Sequence, residues 1–517
     1  MNAEHDSSRT ALAAKASFYG LIARITGLVV SLISRTIFIR VLDQYYLGVN
    51  GLYTDILTVL SLFELGIGSA MAFALYKPVA QGDDERTCEL LMLYRRAYRV
   101  VALVIFVVGL ALVPVLPHII QNAEGFSTTE LRVYFVLFLV NTVISYFVSY
   151  RFGLLNALQK SYIRTNIELA VLLVCSAVQL VILIVTSSFL AYLFSYTAVF
   201  ALSRLVIARY LDARYPIFAK KPARELPKSV RTTLFREVRS LSIHQLSGVA
   251  VHATDSIIIS ALPTLGIAFV GLVSNYASII TSVSNLLLVV VESVTAGFGN
   301  LAATESARRF KGVFDEAHFI GFWMFGFCTV CLFVLTQPFI ELWIGDRYLI
   351  DPLSFALMVV NFYLQGQCSV YNNARIAKGS FNRDSGWSLV QALVNLVISV
   401  AGGLVMGLPG IYVGTIASRF VLFVSRPLAT SQLLFGCSSA SYFKDALVYL
   451  LVVLGATVVC SFVCAPVLSE VTMGSFLVAL ALCAVVPNAL FALLFCRSRR
   501  LKAVVGRVMS YLAGRQL

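Results

Sequence analysis

The chain has 517 residues, of which 59% are hydrophobic and only 13% charged, and its mean hydropathy is +0.85. A soluble globular chain is about a quarter charged, so a water-soluble enzyme or binding domain is excluded. The net charge of +14 does not mark a nucleic-acid binder, because the basic residues cluster at the ends of apolar segments on one side of a membrane.

Each membrane crossing needs about 20 apolar residues. Fourteen such stretches are read in chain order, at 17–39, 46–76, 100–117, 133–150, 165–187, 190–208, 240–261, 268–302, 317–339, 353–374, 386–406, 411–425, 445–465 and 474–496. The expected fold class is an all-α polytopic membrane protein of about 14 transmembrane helices. The first stretch follows a polar start with no cleavage site, so it stays as a helix rather than a signal peptide. Lys and Arg favour the cytoplasmic side. With the N-terminus inside, 33 of the 40 Lys and Arg lie in inside segments. Only Arg40, Arg132 and Arg347 lie outside, and Arg24, Arg35, Arg204 and Arg419 lie within spans. An inner (cell) membrane location with both termini cytoplasmic is expected, with attraction to anionic lipid.

A charge at mid-bilayer costs about 2.5–3.5 kcal/mol on insertion scales, so it faces a cavity or a partner. On the first span Arg24 and Arg35 are eleven residues apart, almost three helical turns, and so share a face with Ser31. Arg24 is read as a cavity residue. Arg35, nearer the outer end, either lines the cavity or snorkels to headgroups. The second span carries a stripe of Asn50, Thr54, Leu57, Ser61, Glu64 and Gly68 at helical spacing. The fifth and sixth contribute Glu168 and Arg204, the tenth Arg375 beside Asn372 and Asn373, and the twelfth Arg419. The seventh holds His244, Ser247 and Asp255, with His252 flanking, and the eighth holds Asn275, Ser278, Ser282, Asn285 and Glu292. Hydroxyls and amides in such stripes also serve to join helices. The carboxylates Glu64, Asp255 and Glu292 need a cation, a proton or an arginine.

The ten cysteines include the suggestive pairs Cys328/Cys331 and Cys460/Cys464. None of these four has a His or carboxylate within a turn, and they read as small buried apolar residues. No nucleotide-binding loop of the Gly-x-x-x-x-Gly-Lys-Ser/Thr kind occurs, so ATP hydrolysis is not expected. The outer loops are short and carry no catalytic constellation, which argues against an enzyme and against a resident metal.

An internal repeat divides the chain. Tyr46-Leu47-Gly48 through Tyr53 and Ile56 matches Phe269-Val270-Gly271 through Tyr276 and Ile279, and Ser161-Tyr162-Ile163-Arg164 matches Ser380-Phe381-Asn382-Arg383. The nearly equal offsets suggest one duplicated six-helix unit, a transporter feature that puts the substrate site near mid-membrane. The expected domains are an N-terminal lobe at 1–208, a basic cytoplasmic linker at 209–239, a C-terminal lobe at 240–430, helices 13 and 14 at 431–496, and a basic tail at 497–517 that lies on the inner leaflet.

The segment from Tyr46 to Arg99 contains Leu47-Gly48-Val49-Asn50-Gly51-Leu52-Tyr53, Phe63-Glu64-Leu65-Gly66-Ile67-Gly68-Ser69-Ala70 and Tyr94-Arg95-Arg96-Ala97-Tyr98-Arg99. With Thr254-Asp255-Ser256-Ile257-Ile258-Ile259-Ser260, Asn373-Ala374-Arg375 and Lys378-Gly379-Ser380-Phe381, it resembles the polysaccharide-transporter branch of the multidrug/oligosaccharidyl-lipid/polysaccharide exporter superfamily, the O-antigen and capsule flippases. The resemblance implies two six-helix lobes that alternate between inward and outward openings. It implies a polyprenyl-pyrophosphate-linked oligosaccharide as cargo, and a polysaccharide polymerase and assembly proteins as partners. Guanidinium groups bind pyrophosphate through paired hydrogen bonds. Arg24 and Arg35 are therefore expected to hold the headgroup, with Asn50, Asn275 and Asn285 at the sugar and Glu64 and Arg375 as further substrate-binding candidates. Asp255 or Glu292 is expected to bind a coupling Na+ or H+. A lipid II flippase and an ion-coupled multidrug exporter of the same superfamily remain as alternatives.

Overall fold

The computed structural model describes residues 2–64, 66–122, 125–220, 226–378 and 385–512. Side chains at 2–18, 239–252, 292–297, 299–300, 302–304, 508–512 and a few single positions lie outside the description. Among the described residues every regular element is a helix: α1 (Asn2–Val41), α2 (Gln44–Leu60), α3 (Ile67–Gln81), α4 (Asp84–Leu112), the single turn α5 (Leu116–Ile119), α6 (Thr128–Ala157), α7 (Ser161–Thr186), α8 (Phe189–Arg214), α9 (Lys228–Ala261), α10 (Ile267–Thr304), α11 (Ala307–Ile344), α12 (Pro352–Ala377), α13 (Ser385–Met406), α14 (Leu408–Phe435), α15 (Ala440–Cys464), α16 (Met473–Phe495) and α17 (Arg499–Leu512).

The apolar stretches read from the sequence fall on helices, the second and third of them divided between two elements. Eleven helices are long and apolar enough to cross a membrane. The α2–α3 pair, α4 and α9 account for the rest of the roughly fourteen crossings. Sequence signals set the ends. Ser127 and Glu130 form a reciprocal capping box at the start of α6, and Asp83, Ser306 and Asp351 cap α4, α11 and α12. The bilayer explains why large apolar side chains face outward, such as Val405 at 85% and Phe462 at 82% exposure. Lipid is as apolar as they are, while backbone groups are satisfied inside each helix.

The chain forms two compact units, Met1–Gly271 and Leu272–Leu517. In the first, α1 packs on α7, α7 on α8, α6 between α4 and α8, and α9 on α2 and α3. α9 and the start of α10 belong to the first of these units. Backbone bonding explains this. The Gln121 N–H donates to Ser260 O at 2.9 Å, and the Ile267 N–H donates to Gln121 O at 3.2 Å. Asn122 Nδ2 donates to Pro263 O at 3.0 Å. A Cβ on Gly48 would lie 2.1 Å from Ile267 O, and one on Gly271 2.2 Å from Gln44 O. Only glycine permits so close a crossing of two backbones. These glycines are the equivalent residues of the internal repeat.

In the second unit, α11 packs on α12, α15 and α16, and α13 and α14 form a hairpin. Its core is aromatic: Tyr449 stacks on Phe322 at 4.2 Å, and His318 stacks on Phe314 and Tyr442. The basic α17 is pinned by Arg500, which donates to Asp445 Oδ2 at 2.5 Å and to Tyr449 Oη at 2.6 Å, and by Arg507, which pairs with Glu316 at 2.9 Å.

Candidate translocation cavity

The second apolar stretch is not one helix. It breaks after Leu60 into a 3-10 turn at Ser61–Glu64, and the chain resumes as α3 after Gly66. Gly66 has φ +88°, a left-handed conformation that favours glycine. The periodicity of the stripe is compatible with a continuous helix and so hides the break, although Phe63-Glu64-Leu65-Gly66 belongs to a motif that stands out in the sequence. Interrupted membrane helices expose backbone where a cavity accepts it.

The break carries Glu64 into the interior of the first unit. Tyr98 Oη donates to Glu64 Oε1 at 3.1 Å, Tyr146 Oη bonds Ser61 Oγ at 3.3 Å, and Tyr94 Oη donates to Gly68 O at 2.9 Å. Tyr98 lies between the other two rings, 5.0 Å from Tyr94 and 5.9 Å from Tyr146.

Three adjoining cavities surround this cluster. One of about 470 Å³ is lined by Glu64, Tyr94, Tyr98, Ser149, Asn156 and Arg164 among others. A second, of about 510 Å³, shares Glu64 and Ser149 with it and adds Asn50, Asn141 and Tyr196. A third, of about 230 Å³, shares Asn50, Gln179 and Tyr192 with the second and ends at Ser31, Ser34 and Arg35. Shared lining residues place the three cavities in a row through the unit, a path with both polar and apolar walls. Gln179 and Arg164 are fifteen residues apart on α7, which is about 22 Å along the helix. The path thus has Arg164 toward the end where basic segments gather, Arg35 toward the charge-poor end, and Glu64 between them.

The sequence candidates separate accordingly. Arg35, Asn50 and Glu64 line the path. Arg24 sits at an exposed position of α1, and the residues named along the path do not include it. Asp255 is half-buried on α9, and the neighbouring Ser256 donates a hydrogen bond to Asp55. In the second unit Asn275 is fully buried and Asn285 exposed. Arg375 is 3% exposed and donates to Asn372 Oδ1 at 2.7 Å. The Glu292 side chain lies outside the described residues, as do those of His244, Ser247 and His252.

Two further charges are structural. Arg204 makes a bidentate pair with Glu168, both N–O distances 3.0 Å, and stacks over Phe200 at 4.3 Å. That pair joins α7 to α8. Arg419 Nε donates to Asn361 Oδ1 at 3.0 Å. At the basic end Lys220 pairs with Asp84 at 2.7 Å, which raises its amine above the ordinary value and anchors the start of the linker on α4.

Arg164, Tyr94, Tyr98 and Tyr146 are not among the sequence candidates. Arg164 counts there with the orienting charges, although it ends one copy of the repeat. Tyr94 and Tyr98 belong to a motif named above. Tyr146 carries no signal of its own, being one aromatic among many in an apolar helix.

No family model and no curated protein matches the sequence. Solved structures do. One is an inward-facing multidrug resistance MATE family transporter of the MOP superfamily, with TM-score 0.65 and 15% identity, covering 80% of this chain and 98% of that one. Another is the lipid II flippase MurJ in an inward closed conformation, with TM-score 0.67 and 12% identity, covering 93% and 99%. A point mutant of the Vibrio cholerae MATE transporter VcmN matches with TM-score 0.56 and 13% identity, covering 84% and 99%. At these identities the likeness is one of fold. The chain is a multi-pass membrane protein with the fold that these transporters share.

Proposed function

We propose that the protein is a transporter that works by alternating access and flips a polyprenyl-pyrophosphate-linked oligosaccharide for cell-surface polysaccharide export. The observation that carries this reading is the row of adjoining cavities in the first unit with Arg35 and Arg164 toward its two ends. Two guanidinium groups on a membrane-embedded path suit an anionic cargo, because each offers paired donors to phosphate oxygens. Tyrosine rings and amides such as Asn50, Asn141 and Asn156 suit sugar hydroxyls. The lipid tail would stay in the bilayer while the headgroup follows the path.

The basic segments argue for cytoplasmic termini in the inner membrane. Asp255 and Glu292 are retained as candidates for a coupling Na+ or H+, joined now by Glu64, which lies on the path itself. Arg24 and Arg375, with Asn275 and Asn285, are retained as further substrate contacts, and a polymerase and assembly proteins as partners.

Lipid II is the competing cargo, since a lipid II flippase is among the structures of similar fold. A multidrug exporter is disfavoured, because a cationic drug suits carboxylates rather than Arg35 and Arg164. Deleting the gene and assaying lipid-linked saccharides tests the proposal. Accumulation of a polysaccharide repeat unit on the inner leaflet is the expected result. Accumulation of lipid II would replace the cargo, and no accumulation would remove the flippase reading.

A further inference from the structure

Three cysteines distant in sequence converge outside the translocation path. Cys460 and Cys464 lie one turn apart on the same face of α15, and Cys483 comes from the middle of α16. Cys460 Sγ is 3.5 Å and Cys464 Sγ 3.9 Å from Cys483 Sγ, and all three sulfurs lie within 4.8 Å of one another. All three residues are 0% exposed, and all are free thiols.

The spacing matches a shared metal ion. With thiolate–metal bonds of about 2.3 Å, sulfurs around one ion stand about 3.8–4.0 Å apart. The two distances to Cys483 are already close to that separation and the third pair lies within 4.8 Å, so a metal would enter with little movement of the helices. A fourth sulfur, Cys331 on α11, donates instead to the Cys483 carbonyl oxygen at 3.5 Å.

The surroundings decide which metal. The three cysteines belong to a buried apolar cluster with Val334, Leu335, Val453, Ala456 and Ala479, and among the described residues no carboxylate or imidazole joins the sulfurs. Sulfur-only ligands select soft ions, Cu(I) and Zn(II) among them. Structural Zn(II) takes four ligands, whereas three sulfurs in one plane suffice for Cu(I). The step balances in charge. Uptake of one Cu(I) with loss of one thiol proton to water forms one Cu–thiolate bond, leaves two thiol sulfurs as neutral donors, and changes the net charge of the buried cluster by nothing, so no residual charge is left in the bilayer.

We propose that Cys460, Cys464 and Cys483 form a three-sulfur site for Cu(I). Since Cys464 is the last residue of α15, the ion would tie the end of that helix to α16 beneath the short loop 465–472. The sequence showed only Cys460 and Cys464, two of the three. Cys483 is nineteen residues away from Cys464, in a separate helix, and no local pattern links them.

The test uses the full-length protein, purified in detergent, reduced and kept anaerobic, and titrated with Cu(I) against a chromophoric Cu(I) chelator. Wild type and Cys88→Ala are expected to withhold about one equivalent of Cu(I) from the chelator, and Cys483→Ala and Cys464→Ala none. Alanine suits the apolar pocket, and elution as a single monodisperse peak checks that each variant folds. X-ray absorption at the copper edge of the loaded wild type is expected to show three sulfur neighbours. Wild type that withholds no Cu(I), a Cys483→Ala variant that withholds as much as wild type, or a nitrogen/oxygen or two-sulfur copper shell would each overturn the proposal.

Discussion

The Tyr98 hydroxyl donates to the Glu64 carboxylate across 3.1 Å, at the point where the second crossing unwinds. This bond joins α4 to the broken helix and fixes the Glu64 carboxyl group between the two arginines of the path. If Glu64 serves transport through its charge, Glu64→Gln should lower the transport rate about tenfold or more at equal expression. Tyr98→Phe removes one hydrogen bond to a charged group, worth about 1.5–3 kcal/mol. It should act in the same direction but more weakly. Initial transport rates in membrane vesicles measure both. Full activity in Glu64→Gln would make the carboxylate a packing feature only.

Arg164 and Arg35 should be separable from residues that merely orient the chain. Loss of a charge-assisted contact to phosphate weakens binding by about 1.5–3 kcal/mol, or roughly 10- to 150-fold. Arg164→Ala should raise the apparent KM for the lipid-linked substrate by that order, and Arg164→Lys should recover part of it. Arg214→Ala, in the linker region, should leave KM unchanged. Equal effects of Arg164→Ala and Arg214→Ala would assign Arg164 to topology.

Gly66 holds the break open through its left-handed backbone. A Cβ at such a conformation costs about 1–2 kcal/mol. Gly66→Ala should therefore lower Tm and slow transport, either by strain or by straightening α2 into α3. A variant with wild-type Tm and rate would show that the break is dispensable.

Gly48 and Gly271 allow α2 and the start of α10 to cross with backbones in contact. A Cβ 2.1 Å from a carbonyl oxygen cannot be absorbed by a side-chain rotation. Gly48→Val should push this contact apart and expose the bonded strip at Gln121 and Ile267. A cysteine placed at Asn122 should then react faster with a membrane-impermeant maleimide in Gly48→Val than in wild type, by about tenfold. Unchanged labelling would mean that the helices shift without opening.

Arg204→Ala strands Glu168 in the bilayer. Because Glu168 keeps 37% exposure, the loss should be discounted from that of a fully buried pair to about 1–2 kcal/mol. Tm should fall, and adding Glu168→Gln should restore much of it. A double variant no more stable than Arg204→Ala would dissociate the two residues energetically.

The apolar stretches were legible because the bilayer imposes length and hydropathy directly, and all of them are helical apart from the break in the second and the end of the third. The basic segments were legible for the same reason. Glu64 and Asn50 stood out as polar residues in apolar surroundings, and both line the path. The break at Gly66 did not, because helical periodicity persists through a 3-10 turn. Arg164 was hidden among charges of the same sign that serve orientation. Glu168 and Arg204 lie on different helices, so their pairing needed the packing of α7 on α8 before it became visible. The meeting of Gly48 with the start of α10 shows the opposite case, in which a weak repeat marked two positions whose significance lies in backbone contact.

The central claim, an anionic lipid-linked cargo held by the arginines of the path, is tested most directly in proteoliposomes. The measurement is the rate at which a fluorescent polyprenyl-pyrophosphate saccharide moves between leaflets, compared with a neutral glycolipid of the same chain length. The account expects the wild type to move the pyrophosphate lipid and not the neutral one, and the double variant Arg35→Ala/Arg164→Ala to slow that movement at least tenfold. Equal movement of both lipids, or an unaffected double variant, would contradict it.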